Sequence, residues 1–120
     1  VNRADDPQRG DVVIPAVGRA DPVTLAVHTS GISAAAAARI RDELLESLDP
    51  LWPTLLRHAA TFRPMIQSRI TDPVQRQRRL RALTDRRARA ILQSEGETGL
   101  RCYHERLADP ARPLSSETSS

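Results

Sequence analysis

Hydrophobic and polar positions fall in alternating blocks along this chain. Two short apolar runs, residues 12–17 and Val23–Val27, flank Gly18-Arg19-Ala20-Asp21-Pro22, the composition of a strand, a polar turn and a second strand. Pro15 marks the first run as an edge or bulged strand. In the second, Val23, Leu25 and Val27 share a face, with Thr24, Ala26 and His28 on the other. A Ser30-Gly31 corner follows, and Ser33 is placed to cap a helix over residues 34–48. Ile40, Leu44, Leu45 and Leu48 form its apolar stripe. Ala34, Ala37 and Ala38 form a small face that suits close packing or a subunit contact equally.

After Asp49-Pro50 the period becomes helical throughout. Trp52, Leu55, Leu56, Ala59, Phe62 and Ile66 recur at three- and four-residue steps, which predicts a helix over residues 51–69, kinked or split at Pro64. Asp72 is placed to cap a third helix with Pro73 at its first position. That helix sets Val74, Leu80 and Leu83 against Arg76, Arg78, Arg79 and Arg81. A short helix carrying Ile91 and Leu92 follows Thr84-Asp85. Gly96 and Gly99 are expected to bracket a loop, with Leu100, Tyr103 and Leu107 on one side of a last helix. From Asp109 the Pro, Ser and Thr content predicts a disordered tail or linker. The fold class is α+β, mainly α, with no internal repeat.

Composition narrows the field modestly. All 18 basic residues are Arg and the formal net charge is +3, too mild a balance to call for nucleic acid. Cys102 is the only cysteine, so no internal disulfide is possible. No apolar run approaches the roughly 20 residues of a membrane span, and there is no secretory signal pattern. A cytoplasmic protein is the expectation.

Several residues could carry chemistry, each with a plainer alternative. Asp5 and Asp6 could serve as bases or metal ligands, or stabilise a turn. His28-Thr29-Ser30 could hold an anion between strand and helix, or form an ordinary turn. The arginines from Arg76 to Arg89 could form a nucleic-acid patch. Without interleaved aromatics, a solvated, salt-bridged face is the expectation. Cys102-Tyr103-His104 lacks a second ligand pair and makes no metal site. His58 lies just outside the apolar stripe. There is no G-x-G-x-x-G, Walker or G-x-S-x-G motif.

Taken in order, the short motifs resemble a known family. V-N-x-x-D-D-P from Val1, I-P-A-V from Ile14, L-A-V-x-T-S-G-x-S from Leu25, A-x-x-I-R-x-E-L from Ala37 and D-P-x-x-R-x-R-x-L from Asp72 are together similar to the second half of precorrin-2 dehydrogenase. This is the NAD-dependent enzyme of sirohaem synthesis, called sirohydrochlorin ferrochelatase where it also inserts iron. The resemblance spans residues 1–109. It implies the end of a truncated NAD-binding Rossmann domain at residues 1–10, a two-strand plus helix dimerisation element at 11–48, a helical domain at 49–108 and a tail at 109–120.

Further expectations come from the same resemblance. The reaction would oxidise precorrin-2 to sirohydrochlorin with NAD as hydride acceptor, and Fe²⁺ would be a second substrate where chelation follows. Asp5 would be the catalytic acid/base, with Asn2 opening its motif. Asn2, Thr29, Ser30, Gly31 and Ser33 would bind the tetrapyrrole. No family motif places an arginine there, but eight carboxylates call for many donors, and on charge and proximity in sequence Arg19 or Arg39 could supply some. The partners would be the tetrapyrrole and a second copy of the chain, with no membrane. The pattern departs from the family where Ser30 replaces the first of two glycines, and where Ala34 and Ala36 replace a frequent Pro and Leu. The Gly-rich NAD loop would precede Val1, so the chain reads as a fragment, a split half or a degenerate paralogue, inactive in isolation. The alternative is a non-catalytic helical interaction module with an Arg-rich surface.

Overall fold

A computed structural model describes residues 14–114. The chain divides into two compact units, Val1–Leu48 and Asp49–Ser120. The architecture is α+β and mainly α, with one two-stranded antiparallel sheet and four helices among the described residues.

In the first unit, β1 (Ala16–Ala20) and β2 (Val23–Val27) form a hairpin in which Ala20 pairs with Val23, leaving Asp21-Pro22 as the turn. Gly18, Arg19 and Ala20, expected in the turn, are therefore strand residues, and Pro15 lies before the strand. The register pairs Ala16 with Val27, Gly18 with Leu25 and Ala20 with Val23, and these six half-buried residues form one face of the sheet. Helix α1 (Ala34–Ser47) packs on the hairpin. Gly18 permits this approach: a Cβ there would lie 2.5 Å from Leu45 Cδ1 and 2.9 Å from Arg41 Cδ. Arg41 also donates to the Val17 carbonyl at 3.4 Å.

The inward face of α1 is Ala37, Ala38, Arg41 and Leu45, spaced i, i+1, i+4 and i+8. The expected stripe is thus displaced, because the small residues face inward. Ile40 and Leu44 are left 40 % and 46 % exposed, together with Val17, Ile14 and Ile32.

The second unit holds the main core. Helix α2 (Leu51–Arg69) buries Leu55, Ala59, Phe62 and Ile66. It stays one helix through Pro64, which lies on the exposed side. The Ala60 carbonyl, deprived of its helical donor by Pro64, belongs to an exposed residue and can be hydrated. Asp49 organises the start of α2: its Oδ1 accepts from the Leu51 N–H at 2.9 Å, and its Oδ2 accepts from Arg89. The Arg89 guanidinium also lies 5.7 Å from the Trp52 ring centroid, within cation–π range.

Helix α3 (Pro73–Ala82) begins as expected, with Asp72 accepting from the Gln75 N–H at 2.9 Å and Pro73 opening the helix. Its faces differ from the simple apolar-in pattern. Val74 is 65 % exposed, whereas Arg79 is 4 % exposed.

Helix α4 (Arg86–Leu107) starts at the Asp85 cap and breaks at Gly96, whose φ of 76° and ψ of −168° lie outside helical space. The loop expected between Gly96 and Gly99 is absent. Gly99 is helical, and a Cβ there would overlap Glu95 Cβ. Residues 109–114, read from composition as the start of a tail, lie against this unit, and Leu114 packs on the core. The expected Rossmann strand end lies outside the described residues.

Candidate functional site

The corner joining β2 to α1 has a defined geometry. Ser30 and Gly31 both take positive φ, 55° and 80°. Two left-handed residues in succession turn the chain from strand to helix. Serine in this conformation costs about 1–2 kcal/mol that glycine avoids. The Ser30 N–H donates to His28 Nδ1 at 3.3 Å, and the Ile32 N–H donates to the Thr29 carbonyl at 3.0 Å.

Thr29 and Ser33 lock the corner from inside. The Thr29 hydroxyl accepts from the Ser33 N–H at 3.0 Å and donates to the Ser33 carbonyl at 3.0 Å. Ser33 Oγ caps α1 by accepting from the Ala36 N–H at 3.0 Å. Both hydroxyls therefore have structural duties. The Ser30 hydroxyl and the Gly31 N–H have no hydrogen-bond partner among the described residues, and both residues are exposed. The first turn of α1 carries no acidic residue, so its positive end is uncompensated there. Chemically, the corner can present a hydroxyl and backbone N–H groups to an oxyanion.

The other expected site residues are differently placed. Arg19 lies toward the hairpin turn, opposite Thr24, and donates to Asp21 Oδ1 at 2.8 Å. The corner follows the opposite end of β2, so Arg19 is not gathered with it. Arg39 is exposed, five residues into α1, roughly 7.5 Å along the helix from its start. Asn2 and Asp5 lie outside the described residues. No group of three or more His, Cys, Asp or Glu able to hold a metal occurs among the described residues.

Among the described residues, the corner does not fit NAD. The corner is fed by an antiparallel hairpin rather than a parallel βαβ unit, and its sequence, Thr29-Ser30-Gly31-Ile32-Ser33, lacks the spaced glycines of a dinucleotide cradle. No step of hydride transfer can be assigned to these groups.

The helical unit carries four polar arrangements that sequence reading missed. Arg79, on α3, donates to the carbonyls of Leu107 at 2.9 Å, Asp109 at 2.8 Å and Arg112. Burial pulls its guanidinium below the usual value, and the Asp109 carboxylate opposes that effect. Arg76, one turn earlier, donates to the carbonyls of Ile70 at 3.2 Å and Thr71 at 3.4 Å. Two arginines of the expected solvated face are thus fasteners for helix ends. Their spacing with Ala82 and Leu83 on one side of α3 was the available signal.

His104 is fully buried, with Nε2 2.8 Å from the Leu83 carbonyl oxygen and the ring 5.4 Å from Phe62. The carbonyl requires a donor, so Nε2 carries the proton, and Nδ1 has no partner. Burial pushes this imidazole below its ordinary pKa, with the Leu83 carbonyl opposing. His104 adjoins the Leu100–Tyr103–Leu107 stripe, the one sequence cue to its burial. His58 Nε2 lies 2.7 Å from Glu97 Oε1, and this contact holds the exposed Glu97 carboxyl below its usual range.

Among the described residues, no helix is long and apolar enough to cross a membrane. Comparisons with protein-family models, with curated proteins and with solved structures found nothing that matches this chain.

Proposed function

We propose that the chain supplies the dimerisation and helical parts of a precorrin-2 dehydrogenase and works with an NAD-binding half. The observation that carries this reading is the corner Thr29-Ser30-Gly31-Ile32-Ser33. The residues that resemble the family's substrate-binding segment coincide with a left-handed turn and a capped helix start. The other motifs also coincide with structural junctions: I-P-A-V leads into β1, and D-P-x-x-R forms the α2–α3 joint, with Asp72 as cap and Arg76 as fastener. Ile40 and Leu44, exposed one turn apart on α1, support a homodimer through the first unit, since adjoining exposed apolar side chains can mark an association surface.

On this reading Ser30, Gly31 and the start of α1 receive substrate carboxylates, while Thr29 and Ser33 hold the corner in shape. Asp5 is the proposed acid/base and Asn2 a substrate contact. Sirohydrochlorin is the tetrapyrrole product, and Fe²⁺ is a second substrate if chelation follows. The test is titration of the purified chain with sirohydrochlorin, followed by absorbance, alongside sedimentation equilibrium. Saturable spectral change and a dimer are expected. An unchanged spectrum with a monomeric chain would overturn the reading.

The second reading, an interaction module using an Arg-rich surface, is favoured by the exposed arginines of α4. Salt-sensitive retardation of DNA or RNA by the chain, without tetrapyrrole binding, would select it.

A further inference from the structure

The last helix and the segment after it form a cleft that the tetrapyrrole reading does not use. Arg87, Tyr103, Arg106 and Leu107 of α4 face Arg112, Pro113 and Leu114 across an open space of about 150 Å³. A dry cavity of about that size is enough for a benzene ring. The floor is apolar: Tyr103 and Leu107 are buried, and Leu114 is half-buried. The rim is cationic. The guanidinium of Arg87 lies 5.6 Å from the Tyr103 ring centroid. Arg87, Arg106 and Arg112 have no carboxylate ion-pair partner among the described residues.

The nearby acids are already engaged or lie to one side. Asp85 caps α4 through the Ala88 N–H at 2.8 Å and accepts from the Tyr103 hydroxyl at 3.4 Å. Asp109 accepts from the Ala111 N–H at 3.0 Å. Glu95 lines an adjoining cleft of about 540 Å³, which shares Arg87 and Arg106. The far wall is held in place, because Arg79 fastens the carbonyls of Leu107, Asp109 and Arg112. A pre-set wall lowers the ordering cost of binding.

We propose that this cleft binds a small organic anion. Its apolar body, of about one ring, lies on Tyr103, Leu107 and Leu114, and its oxyanion head, carboxylate or phosphate, is gripped by Arg87, Arg106 and Arg112. Planar guanidinium groups suit both heads, since each offers paired N–H donors. This inference is independent of tetrapyrrole binding, which was assigned to the other unit.

The experiment titrates the full 120-residue chain with benzoate, phenyl phosphate and the neutral benzyl alcohol, followed by amide chemical shifts. Either anion should give saturable shifts centred on residues 103–114, and the one that binds more tightly names the head group. Arg106→Gln with Arg112→Gln should weaken binding about tenfold or more, equivalent to about 1.4 kcal/mol, while circular dichroism stays unchanged because both side chains are exposed. Raising salt from about 50 to about 300 mM should weaken the wild type. Equal binding of benzyl alcohol, equal affinity in the double variant, shifts confined to other residues, or no saturation with either anion would each overturn the proposal.

Discussion

Arg79→Met keeps an aliphatic stem in the core and removes the guanidinium from three carbonyl groups. Hydrogen bonds to a charged group contribute about 1.5–3 kcal/mol each, so simple addition gives about 5–9 kcal/mol. Two corrections reduce that figure. A buried cation carries a desolvation cost of several kcal/mol, and burial depresses this guanidinium in the same sense. The carbonyls also differ: Leu107 is 3 % exposed, whereas Asp109 is half-buried and Arg112 exposed. Water can replace the lost donor at the last two, but the Leu107 oxygen keeps an unmet demand of about 1–3 kcal/mol. With partial loss at the others, a net destabilisation of about 2–4 kcal/mol is expected for the helical unit. Urea unfolding followed by helical circular dichroism measures it, and hydrogen exchange should show lost protection after Leu107. Arg79→Lys should fall between, because one ammonium cannot reach three separated acceptors as a planar fork does. A loss below about 0.5 kcal/mol, within the range of ordinary surface substitutions, would refute the assignment of Arg79 as the fastener.

Three further outcomes follow from the geometry. The pKa of His104 is lowered on folding, so the unfolded chain binds the proton more readily: stability should be full above about pH 6.5 and fall by up to about 1.4 kcal/mol per pH unit below it, until the folded-state value is passed. Asp85 opposes this shift and His58 adds to it. His104→Leu should flatten the decline between pH 6.5 and 5 in urea unfolding, and an unchanged slope would assign it elsewhere. Gly18→Val should force Leu45 and Arg41 away from the hairpin, costing about 1–3 kcal/mol as an overpacked contact does; thermal melting of the first unit would register it, and an unaltered transition would contradict the close approach. Ile40→Glu with Leu44→Glu should leave helicity intact and dissociate the proposed dimer in sedimentation, since both positions are exposed in the single chain; persistence of the dimer would place its interface elsewhere.

Features determined by neighbours in sequence were legible without the structure. The Ser33 and Asp72 caps and the opening Pro73 each depend on contacts within one helical turn, and the α2 stripe repeats regularly enough to survive Pro64. Features determined by distant partners were not. Gly18-Arg19-Ala20 has turn-like composition, yet pairing with Val23, Thr24 and Leu25 makes it a strand. Arg79 reads as solvent-facing because charge normally lies outside, while its acceptors are supplied from 28 to 33 residues later. Val74 shows the converse, an apolar residue left outside at a position no partner covers. At the candidate corner, T-S-G-x-S was visible as a motif. The division of labour within it was not: Thr29 and Ser33 face each other across the turn, which leaves Ser30 and Gly31 as the groups free to meet a ligand.

The break in α4 predicts an energetic link between two glycines. Gly96 holds a backbone conformation available essentially to glycine alone, and at Gly99 a side chain would collide with Glu95 Cβ. If the break is what brings Glu95 so close, alanine at 96, by drawing the backbone back into helical space, would relieve much of the obstruction at 99. The two alanine substitutions should then be less costly together than the sum of each alone, with a coupling on the order of 1 kcal/mol in a double-mutant cycle. An evolving chain that lost the first glycine would lose the reason to keep the second.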